Sequence, residues 1–214
     1  MENGPGRVLL AMAFPVERAG LRAILKQHPR YLVVGESSEA TSAVELAVAT
    51  QPDLVVIDDN LPDMDPLVLA HFLSRRRPQA RVLLCCQKAD ERFIADAIRE
   101  GVRGFVSRDR LAQHIIEALD ALSDNRPYWD EVVSEESFVA LMGPRPDEPV
   151  GLTDRENEVL RLVAEGYRTP EIAKLLCIDK KTVDSHRLNL RRKLKLQTMS
   201  DVVRYAIERG FVRV

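Results

Sequence analysis

The chain has 214 residues, is 45% hydrophobic and 30% charged, and carries a formal net charge of −2, which is ordinary for a soluble globular protein of one large or two small domains. Its three cysteines, two of them the adjacent Cys85 and Cys86, are too few for a disulfide framework and lack zinc-type spacing, so a reducing cytoplasm is expected. No apolar stretch reaches the roughly 18 residues of a membrane span, and Val8–Leu10 falls short of a secretory h-region of roughly 7 residues or more.

The first 124 residues alternate between two patterns. Val8–Met12, Leu32–Val34, Leu54–Ile57, Val82–Cys86 and Gly104–Val106 read as buried strands. Val16–Gln27, Glu39–Thr50, Pro66–Arg75, Asp90–Arg99 and Arg110–Leu122 have helical spacing. Strand-then-helix units in a row predict a five-stranded parallel sheet with helices on both faces. Ligands of such sheets bind beyond the carboxyl ends of the strands. Those ends are Met12–Phe14, Asp58–Asn60, Cys86–Lys88 and Ser107–Asp109. The first corner, Met12-Ala13-Phe14, offers no polar side chain.

Residues 125–149 change character. They hold Pro127, Pro144, Pro146 and Pro149, and six acids against two cations. They read as a linker, with a short helix over Ser134–Met142. Residues 150–214 then carry 14 cations and 9 acids, a net +5 on an acidic chain, which predicts a polyanion partner for this end. Thr153-x-x-Glu156 is a capping box, and Gly166 closes the helix it opens. Thr169-Pro170 reads as the N-cap and first-turn proline of a second helix, which runs to about Leu176. Ile178-Asp179 makes a tight turn, and Asp179 caps a longer helix to about Leu194. Ser200 caps a last one that runs to Glu208 and stops at Gly210. Two helices joined by a tight turn, the second basic, form a helix-turn-helix pattern.

On a helical wheel Val183, Leu190 and Leu194 share one stripe, flanked by a packed His186, with the Arg187 stem over the core edge. Lys181, Asp184, Ser185, Leu188 and Arg192 share the opposite face, which is the division a groove-reading helix needs. Lys180, Lys181, Arg191, Arg192 and Lys193 can reach phosphates, and Thr182 can donate to one. Asp184 can accept from a cytosine amine or orient a neighbouring arginine, and Leu188 can meet a thymine methyl.

From Leu152 onward the sequence resembles the NarL/FixJ (LuxR-type) DNA-binding domain. The matching residues are Leu152-Thr153-x-x-Glu156, Val159-Leu160, Ala164-x-Gly166, Glu171-Ile172-Ala173, Lys181-Thr182-Val183, His186 and Lys193-Leu194. The resemblance implies an all-α four-helix domain that binds two-fold sites on double-stranded DNA as a homodimer, with the last helix pairing the protomers. It places Asp184, Ser185 and Leu188 toward the groove. The first 122 residues resemble a response-regulator receiver, a CheY-like (flavodoxin-like) fold. The match lies in "PDLVVIDDNLPDMD", "RAGLRAIL" and "GVRGFVSRD". It puts Asp58 at the phospho-acceptor position. It also implies an acidic pair, a hydroxyl and a lysine where this chain has Met12 and Ala13, Cys86, and Arg108. Such a receiver site is degenerate: no metal or cofactor is expected, and Asp58 is expected to pair with Arg108. Asp59 and Asp63 are further carboxylates nearby, with Asp59 expected to point to the other side of its strand.

The resulting reading is a two-domain transcription regulator. It has a receiver-like domain over 1–124, a linker over 125–149 and a DNA-binding domain over 150–214, working without Mg²⁺-dependent phosphorylation. Its partners are DNA, a second copy, and RNA polymerase or a regulatory protein. The competing reading is a conventional phospho-activated regulator using Asp58. An enzyme or flavin protein is disfavoured because "AFPVER" lacks the Gly, Ser or Thr that cradles phosphate. Cys86 at the site mouth near Lys88 suggests a redox thiol, whereas Cys85 reads as core. A pure protein-interaction module is disfavoured by the basic helix. Six or so phosphate contacts would give a log–log salt slope near −5.

Overall fold

A computed structural model describes residues 4–87, 91–130 and 152–208. The chain divides into two compact units, one ending and the other beginning within residues 131–151. The first is built from β1 (Gly6–Ala11), α1 (Pro15–Lys26), β2 (Tyr31–Ser37), α2 (Ala40–Thr50), β3 (Leu54–Asp58), α3 (Pro66–Arg76), β4 (Arg81–Cys86), α4 (Glu91–Arg99), β5 (Val102–Ser107), a 3₁₀ turn (Arg108–Arg110), α5 (Leu111–Ser123) and β6 (Tyr128–Trp129).

All strands are parallel, in the order β2-β1-β3-β4-β5-β6. Strands buried on both faces are continuously apolar, as Leu54–Ile57 is, rather than alternating. Val8, Leu10, Leu54, Val56 and Leu83 face a core completed by Leu21 and Leu25 of α1 and Ile115, Leu119 and Leu122 of α5. The other face is covered by α2, α3 and α4, with Leu69, Leu73, Ile94 and Ile98 buried. Gly104 of β5 allows this close packing. A Cβ there would lie 2.7 Å from Leu83 Cδ1 and 3.2 Å from Leu122 Cδ1. The order reverses between β1 and β3, so the crevice of the fold opens where Met12–Phe14 meets Asp58.

Among the described residues the sheet has six strands where the sequence predicts five. The sixth, Tyr128–Trp129, lies in the stretch read as linker and extends β5 in the register Gly104 to Tyr128 and Phe105 to Trp129. A two-residue strand has no period to read. It forms because the Asp130 N–H donates to the Phe105 carbonyl at 3.2 Å and the Asp130 carboxylate accepts from the Ser107 N–H at 3.2 Å and from Arg110 at 2.7 Å. Beside it the Tyr128 hydroxyl meets His114 at 3.0 Å and Glu117 at 3.2 Å. Burial and the Glu117 charge push that phenol up to about 12. The remainder of the linker, the expected helix over Ser134–Met142, Lys88 and Gly210 lie outside the described residues.

The second unit is helical: α6 (Asp154–Ala164), α7 (Thr169–Leu176), α8 (Lys180–Leu194) and α9 (Met199–Glu208). The Thr153–Glu156 capping box is present. Two caps differ from the expected ones. The N-cap of α7 is Arg168, whose N–H donates to Glu171 at 2.6 Å, so Thr169 is the first residue inside the helix. The last helix is closed by Thr198, which exchanges bonds with Asp201 at 2.7–3.1 Å, rather than by Ser200. Asp179 precedes α8 as expected but makes no side-chain capping bond. The turn between α7 and α8 begins at Cys177, held at φ 48°.

Candidate functional site

Two groups of residues stand apart from the packing logic. The first lies at the crevice of the sheet. Asp58 ends β3 with no exposed surface. One carboxylate oxygen accepts from the Ala13 N–H at 3.0 Å and the other from the Asn60 N–H at 3.0 Å. Arg108, just past β5, donates through Nη2 to Asp58 and to Asp59, and through Nη1 to Glu17 of α1 at 2.6 Å. Its guanidinium also lies over the Phe14 ring, 5.7 Å from the centroid. The apolar corner therefore contributes an aromatic face to the cation.

Burial pushes the Asp58 carboxyl up, but the Arg108 bonds and the two N–H groups outweigh it and hold the group below the usual carboxylate range. Asp59 goes the other way: its burial outweighs the same guanidinium and holds it above that range. Burial opposes the Arg108 charge as well, and the Asp58 and Asp59 bonds more than offset it.

The expected Asp58–Arg108 pair is thus formed, and Met12 and Ala13 flank it. Met12 is wholly buried, and its carbonyl accepts from Arg18 at 2.5 Å. Asp59 does not point away. It lies one residue past the strand, where alternation no longer applies, and shares Arg108 with Asp58. Asp63 is elsewhere, accepting from the Ala40 and Thr41 N–H groups at 2.6 and 2.9 Å at the start of α2. Cys86 has no exposed surface, so it lacks the access a redox thiolate needs. Cys85 is core, and burial raises its thiol. Glu17 was not legible as a member of this cluster, because nothing in one sequence marks which residues of a helix's first turn fold over the sheet end, whereas Phe14 was placed at the strand end but not as a ring under Arg108. Among the described residues no group of three or more His, Cys, Asp or Glu could hold a metal ion.

The second group is α8. Val183 and Leu190 are fully buried and Leu194 partly so, as the wheel requires. Lys180, Lys181, Thr182, Asp184, Ser185, Leu188 and Arg192 are exposed, Leu188 by 57%. Several of the α8 cations have partners within the protein, and Arg192 donates to the Asn189 side-chain oxygen of its own helix at 3.1 Å. Lys193 bonds the buried Glu156 at 2.6 Å, and Arg191 donates to the Gln197 carbonyl at 3.0 Å. Thr169 of α7 meets both Asp184 and Arg187.

Comparison with known proteins matches both groups. Residues 8–120 match the response regulator receiver domain, and residues 150–206 match the bacterial regulatory proteins of the luxR family. The transcriptional regulatory protein MctR of Rhizobium johnstonii is 30% identical over 207 residues, covering 96% of this chain and 95% of that protein. The nitrate/nitrite response regulator protein NarL of Escherichia coli is 27% identical over 197 residues, 91% of each chain. Among solved structures, the RcsB response regulator of Salmonella typhimurium shares the fold with a TM-score of 0.56 at 23% identity, over 95% of this chain and 98% of that one. A receiver sheet with Asp58 at its crevice, joined to a helix-turn-helix unit with a basic second helix, places the chain in the family of LuxR-type, DNA-binding response regulators.

Proposed function

We propose that this regulator binds specific sequences on double-stranded DNA as a homodimer in the cytoplasm, and that its receiver works without Mg²⁺-dependent phosphorylation. One observation carries the second half: the Arg108 guanidinium sits among Asp58, Asp59 and Glu17. A hard dication needs near-octahedral oxygen ligation from such carboxylates. Here the two residues after β1 offer a thioether and a methyl group, and the carboxylates are already engaged by a monovalent cation that no physiological pH neutralises. The residues present do not fit Mg²⁺. Asp58 serves instead as the anchor of a charged cluster that holds β1, β3, α1 and the β5 end in one arrangement. The regulator is then controlled by dimerisation, a ligand, a partner protein or expression level.

The competing reading, phospho-activation through Asp58, draws on the place of that carboxylate at the end of β3. Intact mass after incubation with acetyl phosphate and Mg²⁺ separates the two, with Asp58→Asn as control. The expected result is no added phosphoryl on either protein. A phosphoryl on wild type that the variant lacks would restore the conventional reading.

A further inference from the structure

We infer that Thr169, outside the recognition helix, sets the base preference of this protein by locking the Asp184 carboxylate on the groove-facing side of α8. The inference rests on the DNA-binding reading and deepens it.

Thr169 Oγ1 lies 3.1 Å from Asp184 Oδ1 and 2.9 Å from Arg187 Nη1. The proton order in this chain has one solution. A guanidinium only donates, an ionised carboxylate only accepts, and a hydroxyl has one proton to give. Arg187 therefore donates to Thr169, and Thr169 donates to Asp184. The hydroxyl rotor is fixed by its two neighbours, and both are charged, which makes these the stronger class of hydrogen bond. Asp184 and Arg187 stand three apart on α8, on one side of the helix, where a direct ion pair would be expected. Thr169, brought in by α7, is bonded to both of them.

The consequence concerns recognition. Asp184 is exposed on the same face as Lys181 and Leu188. A carboxylate aimed at a polyanion is repelled unless it meets a donor. With Oδ1 taken by Thr169, Oδ2 is left to accept from a base. In the major groove only cytosine N4 and adenine N6 offer an amine. Guanine O6 and thymine O4 at the same place would face a second acceptor and be rejected. An unlocked Asp184 could rotate away from the mismatch, so the hydroxyl turns a mobile negative charge into a filter.

The test is selection of the full-length chain on random duplex DNA, run in parallel with Thr169→Ser, Thr169→Val and Asp184→Asn. Wild type and Thr169→Ser are expected to enrich the same motif, with one position per bound protomer restricted to cytosine or adenine. Thr169→Val, which keeps the shape and loses the hydroxyl, is expected to weaken discrimination at that position alone by about tenfold, within the range of a single base contact. Asp184→Asn should alter the same position. An unchanged motif in Thr169→Val, a uniform loss across all positions, or an Asp184→Asn effect elsewhere overturns the inference. If wild type enriches no motif, the failure belongs to the DNA-binding reading itself.

Discussion

Three carboxylates converge on the Arg108 guanidinium, and two of them, Asp58 and Asp59, are shifted in opposite directions. Removing Arg108 leaves the wholly buried Asp58 without a countercharge. Arg108→Ala is expected to lower the unfolding free energy of the receiver unit by about 3–5 kcal/mol, read by urea titration. Arg108→Lys should recover only part of this, because an ammonium cannot span three acids as a fork does. The two aspartates should also differ in sign. Asp58 is held below the usual range, so it stabilises the fold above its unfolded value of about 4, and that contribution is lost as pH falls through the folded value. Asp59 is held above the usual range, so its ionisation costs stability from about pH 4 upward. Asp58→Asn should therefore destabilise at pH 7, by an amount that shrinks at pH 3. Asp59→Asn should be neutral or stabilising at pH 7. Equal effects of the two substitutions would mean the guanidinium does not discriminate between them.

Strand β6 illustrates how far the sequence reveals its elements. The first five strands and the helices between them were legible because each buries enough apolar surface to leave a period or a continuous run. Tyr128–Trp129 buries too little to leave such a mark and depends on Asp130, two links removed from any pattern. The caps were half legible. Thr169 and Ser200 are good capping types beside the residues that truly end their helices, Arg168 and Thr198, and single-position choices of this kind are decided by local geometry. The Asp58–Arg108 pair was legible only because the resemblance aligned two strand ends. Glu17, the Phe14 contact with Arg108 and the Thr169 relay required the fold. The β6 attachment is itself testable. Asp130→Ala removes the acceptor for the Ser107 N–H and the Arg110 guanidinium, so local closure should weaken by about 1–3 kcal/mol. Trp129 is the chain's single tryptophan, so its emission reports on this strand directly. A red shift with little change in the midpoint of the global transition is expected. An unshifted spectrum would show that β6 holds without Asp130.

The charge of the chain is divided between its parts, with +5 on residues 150–214 and a net negative charge on the rest. Counting cations overstates what α8 can give to DNA. Lys193 is committed to Glu156, whose carboxyl is pushed up by burial but held below its usual range by Lys193 and by Thr153. Arg191 is committed to a carbonyl within its own unit. Lys180 and Lys181 remain, with Arg192 once it exchanges its 3.1 Å bond to the Asn189 side chain of its own helix for a phosphate, or about six in the proposed dimer, which predicts a slope of log affinity on log salt near −5. Were Arg191 and Lys193 to leave their partners for phosphates, the slope would steepen to about −9. Anisotropy titrations of the full-length chain against a labelled duplex at several salt concentrations distinguish the two. Single substitutions separate the roles further. Arg192→Ala should weaken binding across all sequences and make the slope shallower by about 1 per protomer, with the melting temperature unchanged. Lys193→Ala should leave the slope in place and lower the melting temperature of the helical unit, because it strands a buried carboxylate. If Lys193→Ala instead flattens the slope at constant stability, the ammonium leaves Glu156 on binding and belongs to the DNA interface after all.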